Sequence, residues 1–339
     1  MARPRPTWTP PMREGVCASR VALAAGPPTT VLDFLRQRLP RVTDWDERLA
    51  SGEVLDATGR PVGPREPCRH GAVLWYWRQP PAEARVADEV VVLHQDEHLV
   101  AVDKPHGMPV TPGGRWLHET VLVRLRRQLG IDTLAPVHRL DLETAGVMLF
   151  TVPVDARHPY QRLFAERRVH KVYEALVPWH EALPQVLPLV ARHHLQERPG
   201  EAFMQMEVLP GAPNTETRIE LIARRGDHAH LRLRPLTGRK HQLRAQLAAL
   251  GWPIVGDRIY PVLQPPREPD APDDGQPPLQ LLARELGFDD PLTGHPRRFE
   301  SRRSLTMAPS VRPTDPGKDT AASTAAPTRK LEGSDAADA

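Results

Sequence analysis

The chain has 339 residues, room for one large domain and a small accessory one. Hydrophobic residues make up 40% of it, enough to fill a core, and no run of about eighteen apolar residues occurs, which excludes a membrane-spanning helix. Two cysteines, Cys17 and Cys68, exclude a disulfide framework and fit a reduced cytoplasmic setting, while a formal net charge of +3 leaves the distribution of charge more informative than its sum.

Residues 1–28 are rich in Pro and Arg, lack the apolar segment of a secretory signal, and are expected to be disordered. A small N-terminal module is expected over 29–85. Thr30 with Asp33 forms a capping signal, and Val31, Leu32, Leu35 and Leu39 follow at helical spacing until Pro40. A second helix is expected from Asp44 to Leu49, then a turn at Thr58-Gly59-Arg60-Pro61 and a strand over Val73–Trp77. The region 86–303 reads as the main domain, with strands at Val90–Leu93, Leu99–Val102, Val147–Val152, Tyr173–Val177, Phe203–Leu209, Glu216–Ala223 and His230–Pro235. Helices are expected at Leu117–Leu129 and Lys240–Leu250, with Leu243, Leu247 and Leu250 facing the core, and a short one at Leu279–Leu286. Residues 264–278 form a mobile Pro/Asp/Gly loop, and 304–339 a disordered tail. Runs of neighbouring strands with few helices predict an α+β fold with a mixed or antiparallel sheet.

Charge is uneven. Between Arg224 and Arg244 stand Arg224, Arg225, Arg232, Arg234, Arg239, Lys240 and Arg244 against one acid, Asp227. The stretch from Arg124 to Lys171 is also Arg-rich, and Arg124, Arg126 and Arg127 are expected toward solvent or an anionic polymer. The plain reading is a solvated face. Interleaving with predicted strands favours a phosphate-facing surface.

Chemistry concentrates in Pro136-Val137-His138-Arg139-Leu140-Asp141-Leu142-Glu143-Thr144-Ala145-Gly146, which runs into the apolar Val147–Phe150. A strand there places the charged cluster beside the core. A carboxylate so placed costs several kcal/mol unless it is paired and hydrogen-bonded. From the residues alone, Asp141 is a nucleophile, a general base or the partner of a buried Arg.

His138-Arg139-Leu140-Asp141-x-x-Thr144-x-Gly146 resembles the signature of the RluA-type RNA pseudouridine synthases. Three further blocks match in order. They are Lys104-Pro105-His106-Gly107, Lys171-Val172-Tyr173-Glu174-Ala175, and Gly238-Arg239-Lys240-His241-Gln242-Leu243-Arg244 continuing through Gly251-Trp252-Pro253-Ile254-Val255-Gly256-Asp257. Together they span roughly residues 90–300. Ala145 and Lys240 stand where the family usually has Ser and Thr. The helix–helix–strand order of 29–85 resembles a degenerate form of the small RNA-binding module that often precedes this catalytic domain, with Asp44, Asp46 and Glu47 in place of its basic residues.

The resemblance implies that uridine in structured RNA is isomerised to its C-glycoside without cofactor or metal. It implies that Asp141 is the nucleophile, attacking sugar or base, with Arg244 as its cation and Tyr173 stacking on the flipped base. Arg139 then fills the vacated place, and His138 supports the turn. Lys104, Arg239, Lys240 and His241 are implied to contact RNA, and Lys171 either to contact a phosphate or to support the residues that do, with a solvated lysine as the plain reading. Ribosomal and transfer RNA are both substrates within the family, and a cytoplasmic monomer is expected. Two other classes compete. One is a catalytically silent RNA-binding protein on the same fold. The other is a metal-dependent hydrolase, prompted by 15 histidines, but His193-His194 and His228/His230 lack a helical i, i+4 pair with a carboxylate.

Overall fold

The computed structural model describes residues 8–23, 30–79, 83, 85–86, 88–198, 205–265 and 276–306. The expected mobile loop lies mostly outside them, as do residues 307–339 of the expected tail and most of the Phe203–Leu209 strand's first half.

Two strands, β1 (Ser19–Ala22) and β2 (Val73–Tyr76), pair antiparallel and carry two helices, α1 (Val31–Arg38) and α2 (Trp45–Ala50). Thr30 and Asp33 close a reciprocal capping box at α1, satisfying two otherwise orphaned N–H groups. Val31, Leu35, Trp45, Leu49, Leu74 and Tyr76 then share one buried cluster. The acids of α2 serve the module itself: Asp46 pairs with Arg36 at 2.6 Å and Asp44 with the buried Arg48 at 2.8 Å.

The expectation of disorder over 1–28 fails for residues 8–23. Besides β1, Arg13 and Val16 form a bridge, and Val16 is buried against Leu117 and Val123. Composition hides this order, because the segment has no core of its own and borrows one from its neighbours. Arg126 and Arg127 donate to the carbonyls of Gly15 and Glu14, and Arg124 to those of Val86 and Asp88. These three arginines therefore hold the N-terminal segment and the linker, where the expectation placed them toward solvent or an anionic polymer.

Among the described residues eleven strands form one mixed sheet. Its antiparallel start is β3 (Val91–Gln95), β4 (Leu99–Lys104) and β6 (Ala145–Thr151), with the short β5 (Ala135–Pro136) beside β6. β6 pairs parallel with β12 (Leu281–Asp289), which pairs antiparallel with β7 (His170–Pro178) and β13 (Pro296–Glu300). β11 (His228–Pro235), β10 (Thr215–Arg225), β8 (Leu189–Glu197) and β9 (Met206–Leu209) complete the order. This is the α+β architecture that the strand runs predict.

β4 and β6 are buried along their length because helices cover both faces. Val100, Val102, Met148 and Phe150 meet α3 (Val121–Leu129), while Leu99, Ala101, Val147 and Leu149 meet α4 (Arg157–Ala165). Thr120 caps α3 by accepting the Val123 N–H, so the helix starts four residues later than its leucine stripe suggests, and Gly130 ends it in the left-handed conformation. Two further helices follow: α5 (Leu183–Val186) and α6 (Gln242–Ala249), whose Leu243 and Leu247 pack on Ala175, Leu231 and Leu233.

The helix expected over Leu279–Leu286 is instead the start of β12. Its leucines fit either periodicity. As an interior strand between β6 and β7 it buries Leu281, Leu282 and Ala283 in succession and then carries Arg284 and Glu285, which breaks the alternation that marks a strand.

β12 approaches β6 so closely that Gly146, at φ +114°, has no room for a side chain. A Cβ there would lie 2.2 Å from the Ala283 carbonyl oxygen. Gly146→Ala is expected to cost more than about 3 kcal/mol, by steric displacement plus backbone strain. Urea denaturation of wild type and variant measures this.

On the far face of the sheet Glu174 accepts from His230 and Arg284, each at 3.0 Å. Burial opposes its charge, but these hydrogen bonds and the Arg284 charge lower its pKa from 4.5 to about 2. A depressed carboxylate stabilises fully above its unfolded pKa and loses that contribution as pH falls through its folded one. Glu174→Gln should therefore flatten the decline in stability between pH 5 and pH 2, by up to roughly 3 kcal/mol, in denaturation curves taken across that range.

Candidate active site

Asp141 sits in the loop joining β5 to β6, and its side chain is 30% exposed. The loop is held from below through three successive carbonyls. Lys104, at the end of β4, is fully buried, and its Nζ donates to Leu142 and Thr144 at 2.9 and 2.7 Å and to Pro105 at 2.9 Å. His106 Nδ1 bonds the carbonyl between them, that of Glu143, at 2.7 Å. Burial lowers the His106 pKa to about 4, so the ring is neutral and donates from a protonated Nδ1. Burial likewise pulls Lys104 down to about 7, against the attraction of Asp141. Lys104 is thus no RNA contact. It is the clamp of the loop.

His138 also lies below the loop. Its Nε2 accepts the Leu149 N–H at 3.2 Å and its ring stacks on Phe164 with centroids 4.6 Å apart. Burial lowers its pKa to about 3, which suits an acceptor and removes it from proton transfer at neutral pH.

Arg244, on α6, is 1% exposed and reaches the loop from the other side. Its Nε and Nη2 form a fork on Asp257 at 2.8 and 2.7 Å. Nη2 also donates to Glu143 Oε2 at 2.8 Å, whereas Nη1 lies 3.5 Å from Asp141 Oδ2. Burial works against the guanidinium charge, but the bonds and charges of Asp257, Glu143 and Asp141 outweigh it and raise its pKa. For Glu143 burial dominates and raises the carboxyl pKa despite Arg244.

His241 precedes α6 with φ +51°, and its Nε2 is 3.8 Å from Asp141 Oδ1. Tyr173, on β7, is held protonated at neutral pH by burial and by the Asp141 charge. Lys171, two residues earlier, donates to the Thr237 carbonyl at 2.8 Å, and burial lowers its pKa to about 8. That ammonium braces the loop before α6 and faces the protein, the supporting one of its two expected places. Arg139, Arg239 and Lys240 are exposed, the last 3.2 Å from Glu197.

Asp141, Tyr173, Arg244 and His241 therefore converge, Lys104 and Lys171 lie beneath, and Arg139, Arg239 and Lys240 face outward. Glu143, Asp257, Tyr260 and His106 belong to the site although the motif reading gave them no role. For Asp257 the signal was present: a buried Arg244 demands a buried acid, and Asp257 lies in the same block. Among the described residues no three His, Cys, Asp or Glu side chains gather as a metal ion requires.

The Arg run of β10 and β11 does not feed this site. Register pairs Leu233 with Tyr173 and Arg232 with Glu174, so Arg232 and Arg234 point to the opposite face. The cleft there, about 440 Å³, is lined by Glu174, Arg232, Arg234, Arg284 and Arg298. These arginines pair with Glu220, Glu174 and Glu285. It is a lattice of ion pairs and not a row of open cations, which corrects the expected phosphate-facing surface for this stretch.

The family of RNA pseudouridylate synthases matches residues 98–249, which span β4, the Asp141 loop, Tyr173 and Arg244. An uncharacterized RNA pseudouridine synthase of Synechocystis is 34% identical over 236 residues, covering 68% of this chain and 79% of the relative. The chain belongs to the RNA pseudouridine synthase family, of RluA type. The dual-specificity RNA pseudouridine synthase RluA of Pasteurella multocida is 34% identical over 213 residues, covering 60% of this chain and 88% of the relative. The human RNA pseudouridylate synthase domain-containing protein 1 shares the fold, with a TM-score of 0.52 at 22% identity over 66% of this chain and 86% of that one. As a pseudouridine synthase this protein is an isomerase acting on RNA, which favours catalysis over the silent-binding alternative.

Asp257 is the group on which the Arg244 geometry rests. Asp257→Asn leaves a buried guanidinium short of its neutralising partner and is expected to cost about 3–5 kcal/mol. Thermal and urea denaturation check the loss, and pseudouridine formation should fall with it.

Proposed function

We propose that this synthase uses Asp141 as its nucleophile on a uridine flipped out of structured RNA. The observation carrying this reading is that Asp141 alone among the three carboxylates at Arg244 is loosely held. Asp257 and Glu143 bond the guanidinium at 2.7–2.8 Å, the range of a charge-assisted hydrogen bond, while Asp141 stands off at 3.5 Å. A carboxylate that stands beside a cation without being bonded tightly to it is free to attack.

Attack at sugar or base lets the N1–glycosidic bond break. The uracil turns, C5 bonds the anomeric carbon, the C5 proton leaves, N1 gains a proton, and the carboxylate is released. No electrons enter or leave. Tyr173, protonated and within reach of the Asp141 charge, stacks on the base. Arg244 holds the carboxylate before attack and after release. Flipping costs a few kcal/mol, and the exposed Arg139, next but one to the nucleophile, suits the vacated stack because a guanidinium both stacks and hydrogen-bonds. Arg239 and Lys240 lie on the exposed loop before α6 and suit phosphate contacts.

The RNA is ribosomal or transfer RNA. The curated relatives include enzymes described as dual-specificity, and a Xylella fastidiosa relative, 32% identical over 235 residues, described as a ribosomal large subunit pseudouridine synthase. The protein acts as a cytoplasmic monomer. Among the described residues no helix is long and apolar enough to cross a membrane, and both cysteines are free.

Asp141→Asn should reduce pseudouridine formation on total RNA from cells lacking the gene by on the order of 10⁴-fold or more. Binding of the same RNA and the melting temperature should stay near wild type, because the side chain is part exposed and makes no tight bond. Site-by-site mapping of pseudouridine in cells carrying either form names the uridine. Turnover by the variant at the wild-type rate sinks the assignment.

A further inference from the structure

The site contains a second chain of contacts that the Arg244 arrangement does not use. His241 holds a left-handed backbone, φ +51° and ψ +20°, at the N-terminus of α6, where its side chain makes no capping bond. A non-glycine residue pays for that conformation, and such strain persists only where the surroundings over-determine it. Here the ring is turned into the protein, 9% exposed, between Asp141 and Tyr260.

Tyr260 fixes what the ring can do. Its hydroxyl oxygen accepts the Met206 N–H at 2.6 Å, so the phenol's own proton needs another acceptor. His241 Nδ1 lies 3.3 Å away. The phenol itself is rigid. Its backbone N–H and that of Ile259 donate to Asp257 Oδ1, the oxygen that also receives Arg244. If Tyr260 donates to Nδ1, the imidazole proton must reside on Nε2, the atom that faces Asp141 Oδ1 at 3.8 Å.

We propose that His241 is a positioning residue: Tyr260 locks its proton onto Nε2, and that N–H orients Oδ1 of Asp141 while Arg244 orients Oδ2. The inference rests on the reading of Asp141 as nucleophile. A neutral donor suits the task. Two cations on the nucleophile would hold it back from carbon, whereas a neutral N–H fixes its direction and releases it at less cost. Burial favours the neutral ring, and the charges around it come from Asp141, Arg244, Lys240 and Asp257. The contact at 3.8 Å shortens when substrate closes the site, as catalytic hydrogen bonds do.

Nitrogen-15 NMR of the imidazole tests this without turnover, the His241 signals being assigned by their absence in His241→Gln. The expected result at pH 7.5 is a neutral ring protonated on Nε2 that becomes a tautomer mixture in Tyr260→Phe. Kinetics on total RNA from cells lacking the gene supply the second arm. His241→Phe should slow the saturated rate by about 10- to 100-fold, the size of one hydrogen bond to a charged group, with RNA affinity unchanged. His241→Gln, which keeps a neutral donor, should recover part of it, and Tyr260→Phe should slow the wild type but not the His241→Phe background. A ring protonated on Nδ1 or charged, or a Tyr260→Phe loss that persists without His241, overturns the inference while leaving an Asp141-dependent enzyme intact. Full turnover by Asp141→Asn overturns the nucleophile and this inference together.

Discussion

The site depends on one buried guanidinium that is already satisfied. Arg244 could neutralise any of three carboxylates, and if Asp141 were its closest partner that carboxylate, the proposed nucleophile, would be locked in a salt bridge. Asp257 prevents this. It takes Nε and Nη2 in a fork, and Glu143 shares Nη2, so only Nη1 is left facing Asp141. The geometry is set by the 257–260 turn, where Asp257 Oδ1 also accepts the N–H groups of Ile259 and Tyr260. That turn needs Gly256, at φ +76°, because a Cβ would meet the Pro278 carbonyl oxygen at 2.4 Å. Backbone shape at one glycine thus determines how tightly an arginine holds Asp141.

The other half of the constraint is the loop that carries Asp141. Its direction is fixed by donors to its backbone, which leaves its acidic side chains free for chemistry. Lys104 and the neutral His106 together bond the carbonyls of 142, 143 and 144, and Gly146 lets β12 close over the exit into β6. A buried ammonium is costly, and its pKa of about 7 records that cost. The fold tolerates it because three carbonyls replace the lost water. Packing of β4 and β6 between α3 and α4 makes the platform rigid enough for these bonds to define positions to a fraction of an ångström.

Ordered motifs made much of the centre legible: Asp141, Tyr173 and Arg244 are far apart in sequence and meet in space. What they could not reveal was the direction in which each cation points. The resemblance put Lys104 on RNA and left Lys171 between a phosphate and a supporting place, yet both end on backbone carbonyls, a partner that leaves no mark in a sequence. Arg126 and Arg127 were opaque for the same reason. β4 and β6 were legible as short apolar runs although both of their faces are covered, whereas β12 was not, because Arg284 and Glu285 interrupt its leucines. Elements such as α4, β8 and β13 interrupt their apolar period with charge or histidine and gave no pattern to read.

Charge density is the property most easily over-read in this chain. The Arg-rich stretch 224–244 looks like one basic surface, but a strand turns alternate residues to opposite faces. Arg232 and Arg234 fall on the face away from Tyr173, where Glu174, Glu220 and Glu285 interleave with the arginines. Arg244 goes to the core, and Arg224 lies over the Trp179 ring, 4.5 Å from its centroid. Within this stretch Arg239 and Lys240 stay exposed at the mouth of α6, the latter 3.2 Å from Glu197.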